Sequence, residues 1–408
     1  MKRFEDLSPS LRCIMTPGPV EVDPRVLRAM SFPVLGQFDP EFTNIMNETM
    51  VMLRELFATG NQWAYPVDGT SRSGIEATMV SLIAPGDRVL IPIYGRFGHL
   101  LHEIAERCGA EVHTIEKPWG SVFAQEEIIA EMRRVKPQVV AMVHGETSTG
   151  RLQPLEGIGE ACRELDALLI VDAVATIGGV PVETDAWKLD AVIGGTQKCL
   201  SVPSGMSPIT YNERAEAKVL SRKQVERGLR TDDSKFGGMS PVRSNYFDLG
   251  MLQDYWSPLR LNHHTEMTSM LYALREGLRL VLEEGLEARF ARHLLHEQAL
   301  VAGLEAMEMK LYGNPDCKMP MVTCVTIPEG VDGEAVRSML LDDFGIEIAS
   351  SFGPLKGQIW RIGTMGFSCR KNNVLRVLGG LEAALLRQGC KLPAGLAVQA
   401  ALDVYEQV

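Results

Sequence analysis

Lys198 closes the segment Gly194-Gly195-Thr196-Gln197-Lys198, directly after the apolar run Ala191 to Ile193. Asp172 directly follows a second apolar run, Ala167 to Val171. A lysine behind a strand is by itself an ordinary surface residue. A carboxylate at the mouth of another buried strand changes its meaning, because an acid there can serve a ribose, a metal or a protonated ring nitrogen. Two such strand ends on one sheet edge can place a carboxylate and an amine on either side of a flat ring. Pyridoxal chemistry uses that pair, the lysine for a Schiff base and the acid to keep the pyridine nitrogen protonated.

A third group lies upstream. Asp68-Gly69-Thr70-Ser71-Arg72-Ser73-Gly74 is a glycine and hydroxyl turn that opens a helix running to about Leu82. Backbone N–H groups at a helix N-terminus suit a phosphate. The same residues also make an ordinary N-cap by Thr70, Ser71 or Ser73. The turn does not match G-x-G-x-x-G or the phosphate loop of nucleotide-binding proteins, which weighs against a nucleotide.

The elements that must carry these groups follow an α/β rhythm from about Ala64. Asp87 to Ile93, Val139 to Val143, Ala167 to Val171 and Ala191 to Ile193 read as strands. Asp39 to Phe57, His99 to Cys108 and Leu155 to Leu165 read as helices. Continuous apolar strands alternating with helices imply a mostly parallel sheet covered on both faces. In such sheets ligands bind beyond the carboxyl ends of the strands, where Glu146, Asp172 and Lys198 fall.

After Pro241 the pattern changes to long helices, His264 to Glu284 and Leu286 to Met307. Strand-like Met321 to Ile327, Ile346 to Ala349 and Ile359 to Ile362 come next, with helices at Gly333 to Phe344 and Lys371 to Leu386 and a last helix in the tail. The expected division is an N-terminal arm over 1–20, a large domain over 21–284 and a smaller α+β domain over 285–408. Prolines 17 and 19 make the arm extended or turning.

Composition agrees with a large globular protein: 408 residues, 45% hydrophobic and 23% charged. The net charge of −11 argues against nucleic acid and anionic membrane as partners. No run approaches the ~18 apolar residues of a membrane span. The eight cysteines include no C-x-x-C pair, and the segment MKRFEDLSPS has no apolar signal core. Reduced thiols and a cytoplasmic location are therefore expected. No second His or Cys cluster accompanies His263 and His264, so these read as structural and no metal site is expected.

Several separated motifs agree in order: Pro17-Gly18-Pro19, Tyr94-Gly95-Arg96-Phe97-Gly98, His144 to Gly150, Val171 to Ala175, Gly194 to Lys198, Asn262-His263-His264-Thr265 and Trp360-Arg361-Ile362-Gly363. Together the chain resembles the class V, fold-type I, pyridoxal-phosphate aminotransferases, and within them the alanine/serine–glyoxylate group. The resemblance implies a large domain with a mostly parallel seven-stranded sheet. It implies that Lys198 is the Schiff-base lysine, that Asp172 pairs with the pyridinium and that Val174 lies against the ring. Phe97 falls where relatives stack an aromatic, and Thr147 approaches the ring hydroxyl. Thr70, Ser71, Arg72 and Gln197 hold the phosphate, and Thr265 reaches the phosphate of a partner subunit in a homodimer with shared sites. Arg361 takes the substrate carboxylate through a two-pronged contact.

Two positions bear on the donor. Many relatives carry tyrosine before His-His-Thr, where this chain has Asn262, and the loop Leu35-Gly36-Gln37-Phe38 supplies a second amide. Each amide both donates and accepts. The pair suits an amine donor bearing a ureido group (ureidoglycine), with glyoxylate as acceptor; alanine or serine is the alternative donor. A cysteine desulfurase would need a mobile nucleophilic cysteine. Cys369 is the candidate near Arg361, and its surroundings lack the glycine-rich loop.

Overall fold

The computed structural model describes residues 4–224 and 240–407. A seven-stranded sheet forms its centre, in the order Trp63–Gly69, Gly205–Tyr211, Ala191–Ile193, Leu168–Asp172, Val139–Val143, Arg88–Ile93 and Glu111–Glu116. Neighbours run parallel throughout the last five. Gly205–Tyr211 is antiparallel to both of its neighbours, so Trp63–Gly69 regains the common direction. The carboxyl ends of Trp63–Gly69, Val139–Val143, Leu168–Asp172 and Ala191–Ile193 therefore open on one edge. The expected mostly parallel, seven-stranded sheet is present.

The central strands are buried on both faces. In Val139–Val143 every residue is buried, which is why they read as unbroken apolar runs rather than alternating ones. Helices cover both faces. In Pro40–Leu56 the Asp39 carboxylate accepts the Glu41 N–H and Pro40 starts the first turn, while Phe42, Met46, Met50 and Leu53 bury one stripe.

A second apolar core collects Trp360, Ile362, Leu340, Leu378 and Leu385 from the C-terminal part together with Cys13 and Met15. A three-stranded sheet, Val322–Thr326, Ile359–Gly363 and Ala349–Ser350, lies beside it. The arm thus packs on the C-terminal elements: Cys13–Ile14 pairs in parallel with Ile346–Glu347.

Several element ends differ from the sequence reading. The single strand expected over Ile346 to Ala349 is two short ones, because Ile346–Glu347 pairs with the arm and Ala349–Ser350 with Ile359–Gly363. The helix expected from Leu155 begins at Ile158, since Gly157 holds a left-handed φ of +77° at its N-cap. The helix expected from His264 begins only at Thr268. There the His264 ring is drawn to Asp68 and Glu266 and the chain before Thr268 stays non-helical. The antiparallel strand Gly205–Tyr211 and the edge strand Glu111–Glu116 were not anticipated; the latter is mostly half-buried and polar, which blunts its apolar signal.

One buried cation ties these layers to the Lys198 loop. Arg289 donates through Nε to the Gly178 carbonyl at 2.9 Å, through Nη2 to the Cys199 carbonyl and through Nη1 to Glu284. Arg289→Ala strands the Gly178 and Cys199 carbonyls, while Glu284 keeps its two contacts with Arg292. We expect it to lower unfolding free energy by ~3 kcal/mol, measured by urea denaturation; a change within the scatter of surface substitutions would show that this clamp bears no load.

Candidate active site

On the shared strand edge lies a cavity of about 270 Å³. Lys198, Asp172, Val174, Gln197, Thr147, Phe97, Thr70, Ser71 and Arg72 all line it. The residues come from five separate segments, which the sheet makes neighbours.

Asp172 ends its strand with one carboxylate oxygen accepting the Val174 N–H at 3.0 Å. Burial pushes its carboxyl up to about 7, with Glu146 adding to the rise and Lys198 opposing it. Burial likewise brings the Lys198 amine down to about 8, aided by the nearby Arg361 cation. The two groups share the cavity yet form no salt bridge. Lys198 instead donates to the Pro17 carbonyl. Gly18 permits that approach: a Cβ there would stand 2.5 Å from Lys198 Cδ, and its φ is +104°.

The helix Ser71–Leu82 points its N-terminus at the cavity, and its N-cap Thr70 makes no side-chain capping bond. The Thr70 hydroxyl and the N–H groups of Ser71 and Arg72 are thus available to a ligand, while the Ser73 N–H donates to the Thr70 carbonyl. Ser71 Oγ donates to Gln197 Oε1 at 2.9 Å, joining this turn to the Lys198 loop. Gly195 keeps the junction open, since a Cβ would meet Ser71 Oγ at 2.5 Å and Val174 Cγ1 at 2.6 Å.

Phe97 is held in place by a residue not assigned a role from sequence. Its N–H donates to Glu146 Oε2 at 2.8 Å, while Glu146 Oε1 accepts the Ser148 N–H at 2.9 Å and hydroxyl at 2.6 Å. Glu146 is fully buried, and burial raises its carboxyl. Its position after a strand was visible in the sequence; its grip on Phe97 was not, because the two lie in different loops.

Arg361 does not line the cavity itself. It is 5% exposed and bonded to Thr147, its Nη1 donating to the Thr147 carbonyl at 3.0 Å and its Nε to the Ser350 carbonyl at 2.7 Å. With Nε engaged, the edge left for a carboxylate is the Nη1/Nη2 end. Burial lowers the guanidinium to about 10. Arg361 and the cavity-lining Arg96 both lie over the Phe352 ring, at 4.5 and 4.2 Å. Neither Arg96 nor Phe352 was assigned a role from sequence, and nothing local to Phe352 signals one.

Gln37, Asn262 and Thr265 lie elsewhere. None lines the cavity. Gln37 Nε2 donates to Asn262 Oδ1 at 2.9 Å, so the amides are paired with each other. Cys369 is fully buried and burial lifts its thiol to about 12, so it offers no thiolate nucleophile.

The chain also has known relatives. Residues 34–359 match the family model described as aminotransferase class-V, and the chain belongs to that family. It is 70% identical over 408 residues to the (S)-ureidoglycine–glyoxylate transaminase of Bacillus subtilis, covering 100% of this chain and 98% of the relative. The crystal structure of the ureidoglycine–glyoxylate aminotransferase from Bacillus subtilis superposes with a TM-score of 0.94 at 68% identity, covering 98% of this chain and 100% of that one. The alanine–glyoxylate aminotransferase of Mus musculus is 36% identical over 383 residues, 93% of this chain and 89% of its own. The chain is thus an aminotransferase of fold type I.

The lowered Lys198 amine gives a pH signature. Its neutral, reactive form appears well below the ordinary lysine value. After cofactor removal, the rate at which the protein recaptures pyridoxal phosphate should rise with pH and level off above about 8. A rate still climbing toward the ordinary value of 10.5 would contradict the burial argument.

Proposed function

We propose that this aminotransferase transfers the amino group of (S)-ureidoglycine to glyoxylate, forming oxalurate and glycine in purine breakdown. The observation that carries the reading is the 70% identity, along the whole chain, to the Bacillus subtilis enzyme of that name. The amides Gln37 and Asn262, already joined in one hydrogen-bonded pair, support it as donor-recognition groups.

Pyridoxal phosphate, when bound, supplies an aldehyde to take the donor amine and a ring that withdraws electrons from the donor carbon. The cavity suits it. Asp172 is a buried carboxylate without a cation, the complement of a protonated ring nitrogen. Thr70, Ser71, Arg72 and Gln197 surround a helix N-terminus that suits its phosphate, Phe97 and Val174 flank the ring position, and Thr147 stands near. Lys198 would hold the cofactor, and its amine would carry the proton away from the donor carbon and return it, as base and then acid. Arg361 receives the carboxylate of donor and acceptor in turn, with Arg96 beside it over Phe352.

Gln37, Asn262 and Thr265 act across a homodimer interface in this reading. The segments that meet at Gln37–Asn262 also present exposed Phe32, Val34, Phe38, Leu259 and Leu261, an apolar surface suited to a second copy. The division into an arm over 1–20, a cofactor-binding part over 21–284 and a smaller part over 285–408 is part of this reading. Among the described residues no helix is long and apolar enough to cross a membrane, which is compatible with a cytoplasmic enzyme.

Glycine formation from glyoxylate, measured with ureidoglycine, alanine and serine as separate donors, tests the assignment. Ureidoglycine should give the highest kcat/KM; alanine matching it would favour the alanine–glyoxylate activity named for the mouse relative. Gln37→Ala and Asn262→Ala should each cost about 1–3 kcal/mol in kcat/KM for ureidoglycine and less for alanine. Equal losses with both donors would remove the amides from donor recognition.

A further inference from the structure

We propose that Asp68, His264 and Glu266 form a binding site for one borderline divalent cation, with Zn²⁺ the best match. The three come from two segments far apart in sequence. Asp68 is the next-to-last residue of Trp63–Gly69, immediately before the turn that opens the helix at Ser71. His264 and Glu266 lie in the non-helical segment before Thr268–Glu284. One ligand atom from each lies within 4.8 Å of the others.

The two distances from the imidazole are close to those between neighbouring ligands of a tetrahedral ion. His264 Nε2 stands 3.2 Å from Asp68 Oδ2 and 3.6 Å from Glu266 Oε2. Metal–ligand bonds of ~2.0–2.2 Å place tetrahedral ligand atoms about 3.3–3.6 Å apart. His264 Nε2 is within ion-pair distance of both carboxylates, yet neither contact has hydrogen-bond geometry. Among the described residues, His264 Nε2, both carboxylate oxygens of Glu266 and Asp68 Oδ1 are buried and have no hydrogen-bond partner. Glu266 is only 4% exposed, so its unpaired carboxylate is a steep desolvation cost that a cation removes.

The surroundings favour metal over chance. His264 Nδ1 is 2.7 Å from His263 Nδ1. A proton on His264 Nδ1, donated to His263, leaves the Nε2 lone pair facing the carboxylates, the usual outer arrangement of a metal-binding histidine. The Tyr255 ring packs against the His264 ring with centroids 4.6 Å apart and fixes its plane. One imidazole nitrogen with two carboxylates suits Zn²⁺; Mg²⁺ prefers an octahedral oxygen shell. None of the three residues lines the Lys198 cavity. The ion pins the segment carrying Asn262 and Thr265 to the strand end that precedes Thr70.

The experiment uses the holoenzyme, stripped with chelator, loaded with ZnCl₂ and passed over a desalting column. Wild type should retain about one Zn²⁺ per chain and melt several degrees higher than the stripped protein. MgCl₂ should leave the melting midpoint unchanged. Asp68→Asn and Glu266→Gln, close in shape to the originals, should lose both the retained zinc and the shift. Co²⁺ in place of Zn²⁺ should give the visible ligand-field bands of an N/O tetrahedral site, absent in His264→Gln. Wild-type protein that retains no zinc and shows no zinc-dependent shift overturns the proposal. So does zinc retention undiminished in Glu266→Gln.

Discussion

Everything at the site depends on two opposite charges that are buried together and not paired. A carboxylate and an ammonium in a low-dielectric interior normally meet or neutralise, because an isolated buried ion is heavily penalised. Asp172 and Lys198 do not meet. Burial moves both toward their neutral forms, up to about 7 and down to about 8, while the cavity between them remains open. Such an arrangement is destabilising on its own and makes sense as preparation for a ligand that brings the missing partner charge.

The fold bears that burden through the sheet. Asp172 closes one strand and Lys198 lies beyond the end of the next, which run parallel and adjacent. Their separation is set by backbone pairing and not by side-chain preference. The loops are then locked from outside. Glu146 grips the Phe97 amide, Ser71 reaches Gln197, Arg289 holds the carbonyls of Gly178 and Cys199, and the arm offers Pro17 to Lys198. Polar groups that contact no ligand here supply the rigidity a two-substrate site needs.

Strand interiors were legible in the sequence because the central strands are apolar throughout, and strand exits were legible because charge and glycine follow directly. Lys198, Asp172 and Glu146 could therefore be placed at strand ends from the sequence, whereas the turn at 69–74 could be read only as the start of a helix. Arg361 was readable as a site residue only through its motif; that it stands behind Thr147 with Nε already engaged depends on a strand pairing no local pattern encodes. Glu146 could be seen at a strand end, but its partner lies 49 residues away. His263 and His264 read as structural because Asp68, the carboxylate that gives His264 a different meaning, belongs to another element. The late helix start at Thr268 has the same origin, since the side-chain contacts of His264 prevail over local helical pattern.

The central claim is that Lys198 is the residue that holds pyridoxal phosphate. Visible absorption of the purified protein tests it most directly. The wild type should be yellow, with a band that bleaches when an amino donor is added without glyoxylate. Lys198→Ala, folded to the same thermal midpoint within a few degrees, should lack that band even with pyridoxal phosphate supplied and then desalted. A colourless wild type, or a Lys198→Ala protein that keeps the band, would contradict the account.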